Sequence, residues 1–216
     1  TTKFLAALSK NNSKQWFDAH RSDYDEYWVA PARAFVVAAG EALQDLAPVE
    51  AQPKVNGSIF RVNRDVRFSA DKRPYKDHLD FWFWEGERKN AVSGFYLRIT
   101  ADAVGVGVGA HGFDRDRLAA YRSAVVDAKA GQGLRSAVAA LEKARIEVKG
   151  EHYKKLPRGF ETDDEFTARM LRYNALWTGE DVPAPKVLNS SRFVSWAMTR
   201  WTKAASLHRW LVDSLQ

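Results

Sequence analysis

The chain has no cysteine in 216 residues. That absence excludes disulfide scaffolds, thiolate zinc sites, iron–sulfur clusters and cysteine nucleophiles together. Histidine is scarce too, with His20, His78, His111, His152 and His208 only. None of them stands in an HxxxH, HxH or HExxH spacing, so a metal would need ligands gathered from distant segments and none is expected. No GxSxG elbow is present to mark a serine nucleophile. No apolar run approaches the roughly 18 residues that a membrane span needs, and mean hydropathy is −0.44. The opening apolar stretch around Phe4-Leu5 is too short for a signal peptide, which makes a cytoplasmic location the default expectation.

What is present suffices for a folded core. Hydrophobic residues make up 45% and aromatics 12%, which excludes disorder, collagen and coiled coil. The length fits a single domain. A formal net charge of +6 favours anionic partners.

Residues 1–50 read as helical. Phe4, Leu5 and Leu8 form a short apolar helix that stops at Asn11-Asn12, and Ser13 is placed to cap a second helix carrying Trp16 and Phe17. Tyr24, Tyr27, Trp28, Phe35, Ala39, Leu43 and Leu46 recur at spacings of three and four, one face of a long helix that Pro31 should either kink or divide, marking the first turn of its second half. Residues 57–110 read mainly as β. Ser58 to Arg64 alternates with period two, Leu79 to Trp84 is apolar on both faces, and 94–100 and 103–109 flank a turn at Ala101-Asp102-Ala103. From Asp114 onward the chain returns to helix. Gly131 and Gly133 punctuate it, Ile146 to Lys149 and Ala175 to Thr178 are extended, and Thr162 with Glu165 forms a capping box. The expectation is one α+β domain, with a central antiparallel sheet and N-terminal and C-terminal helices packed on it.

The chemistry concentrates between Arg61 and His78. Six basic residues, Arg61, Arg64, Arg67, Lys72, Arg73 and Lys76, stand there against Asp65 and Asp71 up to position 76. Guanidinium groups at this density suit bidentate contact with phosphate or carboxylate oxygens. Ser69 and Asp71 are placed to bond local amides, and Pro74 fixes its own φ. His78, Tyr75 and Asp65 are the candidates for moving protons, and Tyr96 and Arg98 share a strand face that would wall the site. One reading is an anion-binding site for a phosphate- or carboxylate-bearing small molecule, extended to a cofactor-independent hydrolase or transferase. Another is an ion-pair network that fixes a loop in an interaction protein. A third, a nucleic-acid module, would use the net charge together with an exposed aromatic face around Trp82 and Trp84. All three stay open at this level.

Gly107-Val108-Gly109-Ala110-His111-Gly112 matches a G-x-G-x-x-G string. It follows a hairpin rather than opening a parallel βαβ unit, so no dinucleotide cofactor is expected and the glycines are read as room for a close neighbour. His208 is read as a half-buried helix residue.

The string Arg64-Asp65-x-Arg67-Phe68-Ser69-x-Asp71-Lys72-x-Pro74-Tyr75-Lys76, with the opening Phe4-Leu5, Asn11-Asn12 and Trp16-Phe17, Gly94-Phe95-Tyr96-Leu97, Lys155-Leu156-Pro157-Arg158-Gly159-Phe160 and Leu171-Arg172-Tyr173, resembles domain-of-unknown-function family 2461 of bacteria and fungi. The resemblance covers nearly the whole chain. That family carries no established reaction, so the resemblance implies a kind of fold and assigns no function.

Overall fold

The computed structural model describes residues 1–215. In chain order the elements are α1 (Thr2–Lys10), α2 (Lys14–Ala19), α3 (Arg21–Tyr24), a π-helical turn (Asp25–Val29), α4 (Ala30–Leu43), β1 (Val49–Glu50), β2 (Leu79–Glu85), a 3-10 turn (Arg88–Asn90), β3 (Gly94–Ile99), β4 (Ala103–Ala110), α5 (Arg115–Val126), α6 (Ala128–Lys143), β5 (Val148–Glu151), α7 (Glu165–Leu171), β6 (Tyr173–Pro183) and α8 (Arg192–Leu215). The fold is α+β: an antiparallel sheet of six strands, in the order β1-β2-β3-β4-β6-β5, with helices flanking it. Among the described residues no helix is long and apolar enough to cross a membrane.

Several local expectations hold at the level of single bonds. Ser13 accepts from the Trp16 amide and starts α2, and Asp114 accepts from Arg117 and starts α5. Pro31 sits in the first turn of α4, the second half of the long N-terminal helix, after a π turn that ends at Val29. Proline lacks the N–H that would close the preceding helical turn, and a widened turn accommodates that loss. Others are corrected. The alternating segment 58–64 is not a continuous strand. It makes isolated bridges, Ile59 with Phe81 and Asn63 with Tyr75. Its amide partners change midway, from β2 (Phe60 N–H to Asp80 O, 3.0 Å) to the 74–76 stretch (Arg64 N–H to Pro74 O, 2.8 Å). Gly131 and Gly133 lie inside α6 rather than ending it. A Cβ at 131 would meet the Val125 carbonyl at 2.6 Å, and one at 133 the Trp210 ring at 3.3 Å, so both positions serve close packing. The cap of α7 is Asp164, which accepts from Thr167, with Thr162 two residues outside it.

By its internal contacts the chain divides into two compact units. The first comprises Thr1–Trp84, Tyr96–Val106 and Glu180–Met198. Leu5, Leu8, Trp28, Val36, Leu43, Ile59, Phe81 and Phe83 form its core, and Phe35 packs edge-on against Phe81 at 4.8 Å. The second comprises Glu85–Phe95, Gly107–Gly179 and the chain from Thr199 onward. Tyr121, Leu134, Val138, Leu141, Leu171, Trp201 and Leu211 fill its core. Tyr121 donates its hydroxyl to Met170 O at 3.0 Å. The G-x-G-x-x-G string lies on β4 and its end. A Cβ at Gly107 would stand 2.7 Å from Thr178 O, and at Gly109, where φ is +126°, 2.4 Å from Leu176 O. The glycines let β6 pass at backbone contact, and Gly109 adopts a φ that a side chain would strain.

Candidate functional site

The basic segment is pinned at both ends and folded on itself between them. Asn12 clamps it from the N-terminal helices: its Nδ2 donates to Tyr75 O and its Oδ1 accepts from the Tyr75 amide, both at 3.0 Å. Between them, three side-chain turns succeed one another. Asp65 accepts from the Arg67 amide, Ser69 from the Asp71 amide and Asp71 from the Arg73 amide. Lys72 closes the loop by donating Nζ to Val66 O at 2.9 Å.

Three aspartates sort the cations. Asp71 binds Arg64 at 3.0 Å and Arg73 at 2.8 Å, and the hydrogen bonds from Arg73 hold its carboxyl down at about 2. Asp77 faces Arg73 at 3.3 Å and, more distantly, Arg64. Asp80 is the organiser. It projects from β2 into a nearly closed position, 5% exposed, where its oxygens take Arg98 Nε at 2.6 Å, the Tyr96 hydroxyl at 2.9 Å and His78 Nε2 at 3.3 Å, with Lys76 Nζ at 4.0 Å. Burial alone would push that carboxyl up; hydrogen bonds from His78 and Arg98, reinforced by their charges, hold it far below the usual carboxylate range. Tyr96 is driven the opposite way, first by burial and then by the Asp80 charge, so its phenol stays protonated as a donor. His78 bridges two carboxylates, with Nδ1 at 3.1 Å from Asp77 and Nε2 on Asp80.

The sequence candidates therefore separate into groups. Arg64, Lys76, His78, Tyr96 and Arg98 converge through Asp77 and Asp80. Arg61 is exposed, and its charge acts on Lys76 and Asp65. Arg67 and Asp65 pair with each other at 2.7 Å on the open loop, away from Asp80's partners, and Lys72 is spent on Val66. Tyr75 turns inward, stacked on Phe17 at 4.2 Å, and lines a different cavity of about 370 Å³ with Arg21, Tyr24 and Arg33. A larger cavity, about 600 Å³, is lined by Leu79, Phe81, Phe35 and Phe193; strand alternation puts Leu79 and Phe81 on the opposite side of β2 from Asp80. Of the paired tryptophans, Trp84 is fully buried and Trp82 half-buried. Among the described residues no group of three or more His, Asp or Glu is arranged to hold a metal ion.

Sequence reasoning missed Asn12, Asp77, Asp80 and a second polar cluster. In the second unit His208 is fully buried rather than half-buried. Its Nδ1 meets the Ser93 hydroxyl at 2.9 Å, and its Nε2 meets Glu85, also at 2.9 Å, while Arg209 holds the same Glu85 oxygen at 2.5 Å. Asp80 did leave a trace in the sequence: it is the lone carboxylate between Leu79 and Phe81 in an otherwise apolar run.

No curated protein matches the chain. An uncharacterized protein from Methanothermobacter thermautotrophicus, known from its crystal structure, is similar over 82% of this chain and 99% of its own, at 8% identity and a TM-score of 0.37. The family model described as "Conserved hypothetical protein (DUF2461)" matches residues 1–210, nearly the whole length, and the chain belongs to that family.

Proposed function

We propose that the face of β2 and β3 around Asp80 binds a small anion, with Arg61, Lys76 and Arg98 as its contacts. The observation that carries this reading is the sharing of Asp80. One buried carboxylate serves both Lys76 and Arg98, and the charge of Arg61 acts on Lys76 as well. Lys76 bears the consequence. Burial pushes its ammonium down, and the guanidinium groups of Arg98, Arg61 and Arg64 push the same way against Asp80. A phosphate or carboxylate placed beside Lys76 and Arg98 relieves that repulsion and meets forked donors already held in position. Should the bound anion be turned over, His78 is the group on this face that can move a proton, with Asp80 orienting it.

Arg64 and Arg73 have a different part in this reading. Their pairing with Asp71 and Asp77 suits them to fixing the loop rather than to touching a ligand. The burial of Trp84 weighs against a base-stacking platform, and hence against the nucleic-acid alternative.

Titration of inorganic phosphate, followed by calorimetry at low ionic strength, tests the proposal. Binding is expected, and Arg61→Ala is expected to weaken it by roughly tenfold, the loss of one charge-assisted contact. Arg67→Ala, on the open loop, leaves the affinity unchanged. Equal loss in both variants, or no phosphate binding in the unaltered protein, contradicts the assignment.

A further inference from the structure

Asp181, near the end of β6, is absent from the sequence-derived candidates, yet it stands against the same face. A Cβ built on Gly105 would lie 2.5 Å from Asp181 Oδ1 and 3.6 Å from Arg98 Cβ, so glycine at 105 is what lets this carboxylate settle beside Arg98. Its charge reaches both Arg98 and Tyr96, raising the one and adding to the rise of the other. Arg98 nonetheless gives its hydrogen bonds to Asp80, through Nε and its terminal nitrogen. Asp181 is exposed and, among the described residues, its side chain makes no hydrogen bond or ion pair. Trp82 lies on the Asp80 side of β2 by strand alternation and is half-buried, offering an apolar edge on the same side of the strand.

This arrangement discriminates among anions. A bare phosphate gains from Lys76 and Arg98 and is repelled by Asp181. An ionised carboxylate only accepts hydrogen bonds, so the ligand that gains from both ends carries its anion beside donors, and hydroxyls supply these without setting a second cation next to Lys76 and Arg98. A bare aromatic acid brings no donor for Asp181, and a nucleic-acid strand brings a second phosphate where that carboxylate stands.

Resting on the anion-binding reading above, we infer that the site takes a polyhydroxylated anion, a sugar phosphate or polyol phosphate, with Asp181 accepting from its hydroxyls and Arg61, Lys76 and Arg98 holding the phosphate. Asp181 is then the residue that sets specificity.

Calorimetric titration of inorganic phosphate, glycerol 3-phosphate and glucose 6-phosphate into the intact chain tests this. At least one of the two phosphorylated polyols is expected to bind about tenfold more tightly than phosphate. Asp181→Ala is expected to abolish that preference while phosphate affinity holds or rises, a crossing of the two effects that general damage to the fold cannot produce. Gly105→Ser, which displaces the carboxylate without removing its charge, is expected to do the same. If phosphate binds as tightly as both polyol phosphates, or if the preference survives Asp181→Ala, the polyol inference falls while the anion site stands. If none of the three binds, both readings fall.

Discussion

Asp80→Ala is expected to lower the thermal unfolding midpoint by roughly 6–12 °C. The side chain is buried, and its removal leaves Arg98 Nε, the Tyr96 hydroxyl and His78 Nε2 without the acceptor they share. Breaking a buried pair by deleting one partner costs about 3–5 kcal/mol. Arg98 is partly open to water, so the lower end, about 3 kcal/mol, is the appropriate figure. At two to four degrees per kcal/mol for a chain of this size, the stated range follows. Asp71→Ala serves as the control. It too removes the partner of two arginines, Arg64 and Arg73, but on the open loop, and a much smaller shift is expected there. Circular dichroism melts of the two variants read the difference. Equal shifts would mean that Asp80 does not organise the cluster.

His208→Ala is expected to cost about 3–4 kcal/mol, from the cavity left under Phe95 and from stranding the Ser93 hydroxyl. The same residue imposes a pH dependence of definite sign. Burial is the largest influence on the ring and pushes its pKa below the usual 6.5; the hydrogen bond and charge of Glu85 oppose that push without reversing it. Neutral imidazole fits the geometry, accepting from Ser93 at Nδ1 and donating to Glu85 at Nε2. Unfolded chain therefore takes up the proton first, and stability falls as pH drops below 6.5, levelling off once the folded pKa is passed. A second loss follows below the usual 3.8, where Asp80 and Asp71, both held down in the folded state, are protonated more readily in the unfolded chain. Urea unfolding from pH 7 to pH 3 should show the two windows in the unaltered protein and only the lower one in His208→Ala. A flat profile between pH 7 and pH 5 in the unaltered protein would contradict the neutral assignment.

Much of the fold is written locally, and its failures have specific causes. Ser13 and Asp114 cap where a short acceptor followed by an apolar run says they should, because a cap is made within three residues. The β3–β4 hairpin is likewise local, closed by Thr100 N–H to Ala103 O at 2.9 Å. Segment 58–64 has the alternation of a strand, but whether it pairs continuously depends on where two other stretches run, and its partner changes after Phe60. Gly131 and Gly133 read as breaks since glycine is a poor helix former; packing against α5 and Trp210 outweighed that preference.

The candidate site follows the same division. The concentration of arginines was plain, and their division of labour was not. Which of them remain open to a ligand is decided by Asp71, Asp77 and Asp80, and strand pairing brings Asp80 and Asp181 to Arg98. Asn12 reaches Tyr75 across 63 positions of sequence, a contact that no spacing rule contains.

The central claim is that Arg61 and Arg98 meet an anion, Arg98 while anchored on Asp80, and that Arg64 and Arg73, held by Asp71 and Asp77, do not. Nitrogen-15 NMR of the arginine Nε–H groups during a phosphate titration tests it most directly. Saturable shifts of the Arg61 and Arg98 resonances, with Arg64 and Arg73 unmoved, are the expected result. Uniform drift of all four, or shifts confined to Arg64 and Arg73, would contradict it.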